Sequence, residues 1–70
     1  MNDRVRRHTK AAESHDEAAQ RHAEAALFWA ERGDDSRADL ERRAADVERA
    51  AAQLERDRAA LEEERAPTIG

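Results

Sequence analysis

The chain has 70 residues, 17 acidic and 13 basic side chains and a formal charge of −4, which sets one small domain as the upper limit and excludes a large enclosed core. Alanine supplies 17 of the apolar residues, and only ten are larger: Met1, Val5, Leu27, Phe28, Trp29, Leu40, Val47, Leu54, Leu61 and Ile69. Without cysteine there is no disulfide framework or thiolate metal site; without a membrane-length apolar run or a signal-peptide pattern in the opening residues, a soluble cytoplasmic protein is expected.

Two readings of the composition compete. Leu, Ile, Val and Phe together number eight, a shortage typical of disordered chains. Ala, Glu, Lys, Leu and Arg together make 44 of the 70 residues, the bias of a long helix or coiled coil. Periodicity resolves the conflict.

The first predicted element is a helix over about 4–32, capped by Asn2 or Asp3. It carries a seven-residue repeat, H-x-x-A-A-x-x, in which His8, His15, His22 and then Trp29 occupy one position. The alanines three and four residues after each histidine fall on the same face. A turn follows at 33–35, where Gly33 suits the left-handed C′ position and Asp34, Asp35 or Ser36 can cap the next helix. The second helix runs over about 36–65, with Leu40, Val47, Leu54 and Leu61 in one heptad row and Ala38, Ala45, Ala52 and Ala59 in a parallel one. Pro67 ends it before a flexible tail, 67–70. The fold class is therefore all-α: one domain over 1–66, an antiparallel helical hairpin resembling a coiled coil.

Folding the chain about residues 34 and 35 places Trp29 opposite Leu40, His22 opposite Val47, His15 opposite Leu54 and His8 opposite Leu61. Alanine layers then alternate with bulky ones. The same fold brings Arg6 and Arg7 near Glu62, Glu63 and Glu64, which accounts for the local charge of +3 over residues 1–10 without nucleic acid, since each cluster opposes its own helix dipole. One alanine-rich face buries little apolar area, and alanines on a second stripe of helix two, with Leu27 and Phe28 beside Trp29, are left over. Two hairpins joined as a homodimeric four-helix bundle would cover them. The alternative is a hairpin adaptor that binds a different protein through its helical face or through the Leu27–Phe28–Trp29 tip.

Chemistry finds little foothold. Seven residues, roughly 10 Å along the axis, separate the histidines, whereas chelation on one helix needs ligands three or four apart. The expectation is histidines that fill space and hydrogen-bond across the hairpin, with no metal and no cofactor. A second alternative keeps an inter-chain histidine metal site or a pH-responsive oligomer, because imidazoles packed on Leu and Val layers resist protonation. Ser14 beside His15 is no dyad, since adjacent helical side chains diverge by about 100°, and two glycines make no phosphate loop. Carboxylates lie among arginines at helical spacing, as in Asp3–Arg7, Glu17–Arg21, Asp39–Arg43, Arg42–Asp46 and Arg58–Glu62, which read as solvated pairs. No enzyme activity, small-molecule substrate, nucleic acid or membrane is expected.

Residues 22–45 resemble a single tetratricopeptide hairpin, with Ala26, Trp29, Gly33-Asp34, Ala38 and Ala45 at that repeat's small, aromatic, turn and helix-B positions. The whole chain, with its H-x-x-A-A heptads, W-x-x-x-G-D turn and Arg in place of nearly all Lys, is similar to small helical proteins of high-GC actinobacteria. That resemblance implies a helical fold and a bacterial cytoplasm and carries no activity.

Overall fold

The computed structural model describes residues 2–65. The terminal residues, with the tail expected at 67–70, lie outside them. Two helices, α1 (Asp3–Glu31) and α2 (Asp35–Glu64), pack against each other along their length in a rod about 60 Å long. The local grammar of the chain places their ends. The Asn2 side chain accepts a hydrogen bond from the Val5 amide at 2.8 Å, and that of Asp34 accepts one from the Arg37 amide at 3.0 Å, each satisfying a first-turn donor that the helix leaves unpaired.

Between the helices, Gly33 takes φ +76°. Its amide donates to the Ala30 carbonyl and that of Asp34 to the Trp29 carbonyl, both at 3.0 Å. These are the two bonds of a Schellman cap, and the left-handed residue they require is the reason for glycine at this position.

The core consists of Val5, Ala12, Ala19 and Ala26 from α1 and Ala38, Ala45, Ala52 and Ala59 from α2. Each set recurs every seven residues, so each forms one stripe along its helix. Here the expected register gives way to another. Leu40, Val47, Leu54 and Leu61 are 58%, 67%, 49% and 44% exposed and face away from α1, while the parallel alanine row turns inward. Alanine permits close backbone approach, and with rows of small side chains on both helices the seam is narrow. A leucine row at the same place would hold the helices apart.

Candidate interaction surfaces

A ladder of three histidine–glutamate contacts crosses the hairpin. Each histidine lies three residues beyond a buried residue of α1, at the edge of the seam. His8 Nδ1 is 2.6 Å from Glu55 Oε2, His15 Nδ1 2.5 Å from Glu48 Oε2, and His22 Nδ1 2.7 Å from Glu41 Oε2. Each rung moves seven residues forward on α1 and seven back on α2, which fixes the antiparallel register. An ionised carboxylate only accepts hydrogen bonds, so Nδ1 is the donor, and each ring's orientation and tautomer follow.

The ladder fulfils the expectation of cross-hairpin hydrogen bonds but changes the partners. His22 meets Glu41 rather than Val47, His15 meets Glu48 rather than Leu54, and His8 meets Glu55 rather than Leu61. The apolar layers on which resistance to protonation depended are therefore absent. The missed residues carried a signal of their own, because Glu41, Glu48 and Glu55 recur at the period of the histidine row.

Glu55 is the most heavily engaged acid. The hydrogen bond from His8 holds its carboxyl below the usual carboxylate range, partial burial opposes this, and Arg58, which donates to its other oxygen at 2.7 Å, adds to the lowering. Hydrogen bonds and nearby cations both favour the charged form.

Other charges line the rod. Arg56 pairs with Asp16 across the hairpin, and Arg4 lies 3.8 Å from Glu62, so one end of the basic opening segment meets the acidic end of α2. Arg6 instead approaches Asp3 at 3.9 Å. Within the helices the observed pairs are three residues apart: Arg37 with Asp34, Arg42 with Asp39, Arg49 with Asp46 and Arg58 with Glu55. The four-residue pairings expected from sequence are not among the ion pairs of the described residues; the three-residue spacing, equally a neighbour pair on a helix surface, is used instead.

At the turn end, Trp29 is half-buried while Leu27 and Phe28 are 64% and 45% exposed. Phe28 and Trp29 pack edge to face with centroids 5.0 Å apart. Each carries a guanidinium, Arg32 on Phe28 at 3.4 Å and Arg37 on Trp29 at 4.5 Å, so one face of each ring makes a cation–π contact. Nearby, an open cleft of about 400 Å³ runs between the helices, lined by Ala23, Ala26, Leu27, Arg42, Ala45, Asp46 and Arg49.

The remaining surface feature is the row Leu40, Val47, Leu54 and Leu61, which stands on the outside of α2. Among the described residues no three His, Asp or Glu side chains converge as a metal site, and no helix is long and apolar enough to cross a membrane.

These features define an all-α antiparallel hairpin with an alanine seam, a polar ladder beside it and an uncovered aliphatic row. Comparison with protein-family models, curated proteins and solved structures returns no match.

Proposed function

We propose that this protein is a non-enzymatic structural or protein-interaction module of the bacterial cytoplasm that works as a homo-oligomeric helical bundle. The carrying observation is the outward-facing row of Leu40, Val47, Leu54 and Leu61. Four large aliphatic side chains at one heptad position on a solvated helix form a continuous apolar strip, the kind of surface that marks association. The alanine seam explains why the strip is needed, since it removes less apolar area from water per residue than leucine would and leaves a small hairpin in want of more burial. Pairing two hairpins into a four-helix bundle covers both strips at once.

Molar mass in solution tests this reading. A mass at a multiple of 7.9 kDa supports it, and a folded, cooperatively melting species at 7.9 kDa sinks it. The latter result favours a second reading, an adaptor for a different protein, for which the exposed Leu27, which lines the 400 Å³ cleft, and its chain neighbour Phe28 supply the contact.

A further inference from the structure

Each glutamate of the ladder follows a large aliphatic residue in the chain: Leu40-Glu41, Val47-Glu48 and Leu54-Glu55. Consecutive residues of a helix stand about 100° apart around its axis and about 1.5 Å apart along it. Turning α2 by that one step carries Val47 to the place where Glu48 now meets His15, and brings Leu40 to His22 and Leu54 to His8. The alanines keep step. Ala44 and Ala51, already half-buried, precede Ala45 and Ala52, so the turned helix still presents small side chains at the middle of the seam and allows the same close approach.

The two packings differ in what they satisfy. The observed one makes three histidine–glutamate hydrogen bonds and leaves Val47 67% exposed; the turned one gives up those bonds and takes the aliphatic side chains out of water. Its weak points are the two ends, where Arg37 and Arg58 precede Ala38 and Ala59. An arginine stem can lie along an apolar seam with its head in water. The connection asks little, since unwinding one residue at the start of α2 lengthens it by about 2 Å, more than the step along the axis.

We infer that the histidine–glutamate ladder is a latch that selects the alanine face of α2, and that without its glutamates α2 turns by one residue and packs Leu40, Val47 and Leu54 against α1. Polar pairs at the edge of a helical seam are an attested means of imposing one packing over a competing one. The latch acts at three levels of the rod, and at its far rung Glu55 is held twice, by His8 and by Arg58 at 2.7 Å. It also governs the surface, because the turned packing withdraws the aliphatic row from solvent. This holds whether that row meets a second copy or a different protein.

The experiment replaces the three glutamates together, Glu41→Ala, Glu48→Ala and Glu55→Ala, and reads by NMR which face of α2 meets α1. In the wild type the buried Ala45 methyl should contact α1 and the exposed Val47 methyls should not. The triple alanine variant should lose the Ala45 contacts and gain contacts between the Val47 methyls and the His15 ring. A triple glutamine variant, whose side-chain oxygens still accept from the imidazoles, should keep the wild-type pattern. Mixing isotope-labelled with unlabelled chains separates contacts within a chain from contacts between copies, so the outcome is read independently of self-association. Retention of the Ala45 contacts in the alanine variant overturns the latch, and so does loss of its helical fold, because the second packing is then too weak to hold the hairpin. A glutamine variant that turns as well overturns the hydrogen bonds as the cause.

Discussion

His8 and Glu55 are joined across 47 residues of chain by a 2.6 Å contact between Nδ1 and Oε2, and Arg58 grips the other oxygen of the same carboxylate at 2.7 Å. This rung lies near the open end of the hairpin, far from the turn, where it ties the start of α1 to the last third of α2.

The lowered titration of Glu55 has a direction in pH. Its carboxyl gives up its proton more readily in the folded chain than in the unfolded one, so the folded state gains stability above the ordinary carboxylate range and loses it as pH falls through the lower folded value. Acid unfolding followed by circular dichroism should show this loss below the ordinary carboxylate range. Carboxyl-carbon NMR should show Glu55 titrating below a free glutamate and moving back up in His8→Ala, which removes the largest cause while Arg58 stays. An unmoved Glu55 midpoint in that variant would refute the assignment.

Close packing predicts an asymmetry among alanines. Ala52 is fully buried in the seam and Ala60 stands exposed on the same helix. Ala52→Leu should cost about 1–3 kcal/mol through overpacking, whereas Ala60→Leu should change stability by no more than about 0.5 kcal/mol. Urea denaturation of the two variants measures the difference, and equal effects would mean that the seam is loose.

At the turn, Gly33→Ala should destabilise by about 1–2 kcal/mol. The cause is conformational: a Cβ added there meets no atom within 4 Å, but φ +76° disfavours any side chain. Gly33→Asn should lose less, because asparagine tolerates the left-handed region better. Thermal melts of both variants at one protein concentration decide it.

The cap of α2 gives a local test. Asp34→Ala removes the acceptor of the Arg37 amide and should cost about 1 kcal/mol, while Asp34→Asn or Asp34→Ser should retain most of it. Amide exchange in the first turn of α2 should accelerate in the alanine variant alone.

The exposed aliphatic row separates folding from association. Leu54→Asp should leave the helical signal of a hairpin largely intact, since Leu54 is already 49% exposed, and should act on molar mass instead. An Ala45→Asp change at the same helix's buried stripe should abolish cooperative melting, because a charge would be placed in the seam without a partner. Loss of fold in the first and not the second would reverse the assigned faces.

The His8, His15 and His22 row was legible as one face of α1 because helical spacing aligns residues seven apart. Its partners were not legible. Glu41, Glu48 and Glu55 share that period, but glutamate among arginines reads as solvated, and nothing local distinguishes an acid that crosses the seam from one that faces water.

The sequence by itself determined the two helices, the break at Gly33 and the heptad periods, since alanine-rich helix formation, the Asn2 and Asp34 caps and the left-handed glycine all act within a few residues. Tertiary structure alone decided which stripe of α2 faces inward. Ala38, Ala45, Ala52 and Ala59 repeat with the same period as Leu40, Val47, Leu54 and Leu61, so periodicity cannot rank them, and hydrophobicity favours the leucines. The choice rests on fit: small side chains let two helices close together and bring each histidine within hydrogen-bonding reach of a glutamate, while the larger aliphatics are left outside.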